Sequence, residues 1–367
     1  MIIKLGKVIS EYSVRNKADE DIPVYSVTND KGFCTNYFSK DVSSKDRTTY
    51  KIVPYGYFAY NPSRINVGSV DWQHYEKKVI VSPLYVVFYV DEVIDQRYLL
   101  HYLKSDITLK FIKSNSAGSV RDNLKLSVLQ EFSINLRTKE EQYKIVNILD
   151  KVDLLISLYT EKLEKFDELT KSLFIEMFGD PISNPKEWKK KKCKNILTKI
   201  GSGATPQGGS ESYKEEGISL IRSMNVHNGR FESKDLAYID EKQAQKLDNV
   251  NIKENDVLIN ITGASVARCC IVPSDVIPAR VNQHVSVLRC SDMVNSIFLC
   301  YQIINDSYQN LLKKIGISGG ATREAITKKQ IEDLEVILPP LELQNKFANF
   351  VRGTDKSKYS SFLHLSA

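Results

Sequence analysis

The chain contains itself twice, and the length of the repeat limits what it can fold into. Ser116-Ala117-Gly118-Ser119-Val120-Arg121-Asp122-Asn123-Leu124 returns 202 residues later as Ser318-Gly319-Gly320-Ala321-Thr322-Arg323-Glu324-Ala325-Ile326. Each copy leads into a Leu, a Glu and a Gln, at Leu136, Glu140 and Gln142 and then at Leu338, Glu342 and Gln344, again 202 residues apart. Upstream, Val81-Ser82-Pro83-Leu84-Tyr85-Val86-Val87 aligns at a slightly smaller offset with Val281-Asn282-Gln283-His284-Val285-Ser286-Val287. Solenoid repeats are far shorter, so this period marks a duplicated domain. With 367 residues, each copy can build its own core. Two similar but non-identical domains suit the reading of two different things at a fixed separation.

The expected organisation follows that duplication. Residues 1–135 alternate short β-like runs, Ile22 to Val27, Tyr57 to Tyr60, Val79 to Val81 and Tyr85 to Val90, before a helical stretch at Arg97 to Lys104. They predict a small α+β domain with a curved sheet. Residues 136–180 read as a spacer. Ile145, Val152, Tyr159, Phe166 and Leu173 recur every seven residues with no Gly or Pro from Lys139 to Phe178. That predicts one helix of roughly 60 Å in need of a partner helix, stopped at Gly179-Asp180-Pro181. Residues 181–337 repeat the domain, with strands at Ile218 to Met224, Val257 to Ile261 and Val285 to Leu288 and a helix from Phe298 to Lys313. Residues 338–367 begin a second spacer, with Phe347, Phe350 and Val351 on one face. It weakens at Gly353 and Thr354 and is expected to be a shortened copy.

Composition narrows the class. Hydrophobic content of 42% and aromatic content of 10% are globular values, and a net charge of +6 fits a polyanionic partner without requiring one. Cys34, Cys193, Cys269, Cys270, Cys290 and Cys300 include no C-x-x-C pair and have no histidines at ligand spacing, so they read as reduced thiols of a cytoplasmic protein and not a zinc site. No run approaches 18 apolar residues, so no membrane span is expected. Tyr60-Asn61-Pro62-Ser63 looks like the N-P-P-[YF] signature of amino-methyltransferases but lacks its second proline and its aromatic, and no G-x-G loop accompanies it. Five scattered histidines and no H-E-x-x-H argue against a catalytic cluster or a metal site.

What stands out is polar. The first copy carries Asn61, Ser63, Arg64, Asn66 and Ser69 at strand ends and loops. The second carries Arg222, Asn225, Asn260, Thr262, Ser265, Arg268, Arg280, Asn282, Gln283 and His284 at strand ends and loops. Arg, Asn and Gln can pair bidentately with base edges, and Ser and Thr adapt to bases or phosphates. Gly201 to Ser210 is glycine-rich without the G-K-[ST] of a P-loop. It is either a tight connection or a backbone that approaches phosphate closely, with Ser202 and Thr205 as donors. Lys189 to Lys192 reads as a solvated basic rim.

Taken together, Phe58 to Ser69, Gly201 to Pro206, Asn260 to Ser265, Val281 to Val285, Gly320 to Arg323 and Leu338 to Gln344 make the chain resemble the specificity subunit of type I restriction-modification enzymes, across almost its whole length. The resemblance implies two target-recognition domains joined by spacer helices that form an antiparallel coiled coil. Each domain would read one half of a split, asymmetric site in double-stranded DNA. It implies no catalytic residue and no cofactor on this chain. S-adenosylmethionine, ATP and Mg are expected on partners, the methyltransferase subunits and the motor-nuclease subunits. Ile145, Val152, Tyr159, Phe166, Phe347 and Val351 would be the spacer residues that pair or dock. Two alternatives stand beside this reading: a truncated or exchange-reservoir copy that binds partners without supporting restriction, and a cryptic DNA methyltransferase.

Overall fold

The computed structural model describes residues 1–35, 47–116, 123–206, 208–317 and 324–366. Most of each Gly-containing repeat, residues 117–122 and 318–323, lies outside them. The chain divides into two compact units, Met1–Ser157 and Leu158–Ala367.

The first unit is built on a four-stranded antiparallel sheet in the order Ile9–Glu11, Val86–Val90, Phe58–Tyr60, Val70–Trp72. One face packs on two successive helices, Gln96–Lys104 and Asp106–Ser116, through Phe58, Phe88, Leu99, Leu103 and Ile112. Phe58 and Phe88 are cross-strand partners and stack with ring centroids 5.0 Å apart. The other face carries a smaller core of Val27, Phe33, Val53, Val79 and Val81 under two short hairpin-like pairs. Of the apolar run beginning at Ile22, Ser26–Thr28 forms the strand, while Val24 makes a single parallel bridge to Ile80 and Pro23, which has no N–H, contributes its carbonyl to the Ile80 N–H.

The second unit repeats this plan with new loops. Leu197–Ser202, Val285–Cys290, Val257–Asn260 and Cys269–Ile271 form a four-stranded antiparallel sheet of the same topology. Beside it lies a three-stranded sheet of Ala237–Ile239, Ile218–Ile221 and Ala279–Val281, its last pair parallel. The strand expected to reach Met224 stops at Ile221, because the Asn225 side chain accepts the Arg222 N–H and turns the chain into a 3-10 helix. The single helix expected from Phe298 to Lys313 is two, Ser296–Ile304 and Asp306–Ile317. Asn305 breaks it. Its backbone is extended and its Oδ1 accepts from the Ser307 N–H and hydroxyl, opening a new helix in place of continuing the old one.

The long helix spans Lys139–Phe178. Gly179 ends it at φ +77°, where a Cβ would sit 2.7 Å from Pro185 Cγ. In the second unit it runs antiparallel to the C-terminal helix Leu341–Ser366. Phe174 and Phe178 meet Phe347, with centroids 5.5 and 5.7 Å apart, while further along Asp167 pairs with Lys358. The buried seam drifts off the seven-residue series. Phe166 and Leu173 are half-buried, and Thr170, Phe174 and Phe178, four residues apart, are the interior ones. A straight helix repeats nearer 3.6 than 3.5 residues, which moves a strict heptad face around the axis. Phe347 and Val351 are buried, whereas Ile145 and Tyr159 are half-buried and Val152 is exposed. The C-terminal helix passes through Gly353 without a break, and Thr354 returns its hydroxyl to the Phe350 carbonyl.

The Leu-Glu-Gln motif of the repeat is a structural anchor in both units. Gln142 is fully buried; it accepts the Asp95 N–H at 2.7 Å and donates to the Val93 and Arg137 carbonyls at 3.0 and 2.9 Å. Gln344 accepts the Asn295 N–H at 2.9 Å and donates to the Met293 and Pro339 carbonyls. Asp95 and Asn295 in turn cap the helices that follow them.

Candidate nucleic-acid interface

In the first unit, the connection Asn61–Ser69 joins Phe58–Tyr60 to Val70–Trp72. It folds on itself: the Asn61 N–H bonds the Ser69 carbonyl, and Asn61 Oδ1 accepts from the Ser63 N–H and hydroxyl at 3.1 and 2.9 Å. Ile65 is its buried anchor. Ser69 is also interior, its hydroxyl on the Val27 carbonyl at 2.6 Å, so Asn61 and Ser69 shape the loop. Ser63 and Arg64 are exposed and Asn66 half-buried. The Arg64 guanidinium makes no hydrogen bond or ion pair among the described residues.

The equivalent connection in the second unit runs from Asn260 to Arg268. Gly263 takes φ +71°, a 3-10 turn covers Gly263–Ser265, and Val266 is the buried anchor. Thr262, Ser265 and Arg268 are half-buried. The Arg268 side chain, like that of Arg64, has no hydrogen bond or ion pair among the described residues. Both sheets therefore offer a free arginine from the same connection.

Four of the polar residues in the second unit are taken inward. Asn225 and Asn260 are fully buried, bonding the Glu232 and Ser223 carbonyls through their amide nitrogens at 2.9 Å. Arg280 reaches Asp248 at 2.6 Å and the Ala244 carbonyl at 3.2 Å. Asn282 Oδ1 accepts the His284 N–H at 3.0 Å. Buried polar groups are spent on such bonds, and these four organise loops. Arg222 is half-buried over the Tyr213 ring and donates to the Asp235 carbonyl.

The glycine-rich loop is tightly packed at Gly203. A Cβ on Gly203 would fall 1.7 Å from the Val281 carbonyl oxygen, so glycine lets the loop lie against that strand. The approach brings three loops together in a polar chain. The Thr205 hydroxyl donates to Gln283 Oε1. The Gln283 amide nitrogen lies 3.1 Å from His284 Nε2, and His284 Nδ1 lies 2.6 Å from the Thr262 hydroxyl. Ser202 and Thr205 are exposed beside it.

One surface feature went unread in the sequence, and a second, the basic rim, takes a definite form. In the first unit, Trp72, His74 and Tyr75 form a ring stack, with centroids 4.5 and 4.2 Å apart, continued by Tyr25. Its signal was the aromatic spacing of Trp72-Gln73-His74-Tyr75. In the second unit, Lys190–Lys192 is an exposed edge strand paired with Glu335–Ile337, and Lys192 is tied to Asp333. All six cysteines are free, and burial pushes the Cys193 thiol up to about 12. No helix among the described residues is long and apolar enough to cross a membrane.

Known proteins place this arrangement. The chain is 22% identical over 294 residues to the type I restriction enzyme MjaVIII specificity subunit of Methanocaldococcus jannaschii, covering 76% of this chain and 68% of that one. It is 27% identical over 274 residues to the MjaIX specificity subunit of the same organism, covering 70% of this chain and 61% of that one. Its fold matches the type I restriction-modification S subunit of M. genitalium with a TM-score of 0.58 at 16% identity, over all of this chain and 92% of that one. A second match, at TM-score 0.53 and 19% identity, covers all of this chain and 93% of a chain from a type I R-M system studied for its complex assembly and conformational transition. The type I restriction modification DNA specificity domain matches twice, at residues 2–167 and 185–358, and the chain belongs to that family as a tandem of two such domains.

Proposed function

We propose that each domain of this type I specificity subunit reads one half of a bipartite, asymmetric sequence in double-stranded DNA, and that the chain performs no chemistry itself. One observation carries the reading. The same four-stranded scaffold occurs twice, and each copy presents an arginine with no partner among the described residues, Arg64 or Arg268, from the same connection in an otherwise different loop. Phosphate contacts then supply affinity and register, and base-edge contacts supply the choice. Ile148, Val152, Leu154, Leu155 and Ile156 are exposed along the long helix, an apolar surface suited to docking methyltransferase subunits. Those subunits would bring S-adenosylmethionine, and motor-nuclease subunits would bring ATP and Mg. The test uses duplexes with one half-site scrambled at a time. Arg64→Ala should weaken binding through one half-site and Arg268→Ala through the other. Wild-type affinity in both variants at physiological salt would refute the assignment.

A further inference from the structure

We propose that Gln283 of the second domain reads an adenine by bidentate hydrogen bonding in the major groove, held ready by Thr205 and His284. The inference rests on the DNA-reading function proposed above and deepens it to one residue and one base.

It follows from counting donors and acceptors. A carboxamide has two acceptor positions on its oxygen and two hydrogens on its nitrogen. Thr205 occupies one position on Gln283 Oε1, and His284 Nε2 faces the amide nitrogen at 3.1 Å. His284 is fixed from behind by the Thr262 hydroxyl at Nδ1, 2.6 Å away, and its own N–H is held by Asn282. Among the described residues, one acceptor position and one N–H remain on this exposed side chain. Turning the amide over and exchanging the histidine tautomer leaves the same remainder, since threonine and imidazole can each donate or accept. Adenine offers the matching pair, N7 to accept and N6–H to donate. Guanine presents two acceptors, cytosine one donor, and thymine one acceptor beside a methyl group. A side chain already tethered on both polar atoms loses less freedom on binding than a free glutamine.

The first domain has no equivalent at the aligned position. Its aligned segment is Val81-Ser82-Pro83-Leu84, where Pro83 can offer neither group, so the device belongs to one half-site alone.

The full chain, alone and co-expressed with methyltransferase subunits, is presented with duplexes randomised across both half-sites, and bound sequences are read out. Wild type should select adenine at one position in the half-site that is lost in Arg268→Ala. Gln283→Ala should reduce that preference by roughly 5- to 150-fold and leave every other position unchanged. Gln283→Glu should shift the position toward cytosine, whose N4–H a carboxylate can accept. Thr205→Val, which keeps Gln283 but removes its tether, should give a smaller loss at the same position. Thermal melting of each variant reports folding separately. Even weakening on all sequences by Gln283→Ala, or no change, overturns the adenine assignment while leaving DNA reading intact. No sequence selection by wild type under either condition overturns the underlying function as well.

Discussion

Replacing Gln142 by Leu should loosen the start of the long helix from the first domain, at a cost the geometry allows to be worked out. The Gln142 side chain serves three backbone groups, accepting from the Asp95 N–H and donating to the Val93 and Arg137 carbonyls, and none of it reaches solvent. Leu fills a similar volume and leaves all three groups without their partner. Each buried orphan costs about 1–3 kcal/mol. Val93 is itself exposed, so water recovers part of that, and a net loss of about 3 kcal/mol is expected. Hydrogen exchange is the suitable assay, because a chain of two units need not unfold in one step. The Asp95 amide should exchange about 100-fold faster in Gln142→Leu. Gln142→Glu keeps the acceptor for Asp95 but turns a buried carboxylate toward two carbonyl oxygens. Its pKa in the folded state then rises above the unfolded value, so stability should be regained as pH falls through the folded value. Less than a fivefold change at Asp95 in Gln142→Leu would refute the anchoring role.

Three further outcomes follow from the second unit. Phe347→Ala should cost about 3–5 kcal/mol in chemical denaturation, because the fully buried ring meets Phe174, Phe178 and Tyr301. Arg280→Ala should lower the melting temperature without altering the selected DNA sequence, since its guanidinium holds Asp248 and the Ala244 carbonyl inside the domain; a changed base preference would return Arg280 to the interface. Lys358 pairs with both Asp167 and Asp355, whose carboxylates are solvent-exposed, so Lys358→Ala should cost less than about 1 kcal/mol in the same denaturation assay.

The scaffold was far more legible in the sequence than the interface. Lys139–Phe178 could be read to its ends, because a heptad stripe bounded by Gly and Pro is a local signal. Its buried seam could not. Which of Phe166, Thr170, Leu173 and Phe174 turns inward depends on the partner helix, and that is a property of packing. Asn305 was hidden for a similar reason, since one Asn in an apolar helical run looks tolerable until its side chain is seen capping Ser307. Among the polar residues, Arg, Asn and Gln are suited to bases and to buried backbone groups alike. Arg280 and Arg268 looked equivalent in the sequence, yet one is paired with Asp248 inside the domain and the other has no partner among the described residues.

The two copies differ in a way that bears on how such a chain acquires a new target. Gln142 and Gln344 do the same work with the same three kinds of bond, and Asp95 and Asn295 cap equivalent helices. These residues fix a helix to a sheet, a task that does not depend on the DNA. The loops above the sheets share a buried anchor, Ile65 or Val266, and an arginine with no partner among the described residues, and little else. An anchor sets loop position whereas the residues around it set loop chemistry, so exchanging the surroundings need not disturb the fold. The Thr205-Gln283-His284 chain shows the limit of that freedom. It draws on three loops at once and depends on Gly203 lying against Val281, so Gln283 transplanted into the Pro83 position should not by itself confer adenine reading on the first domain.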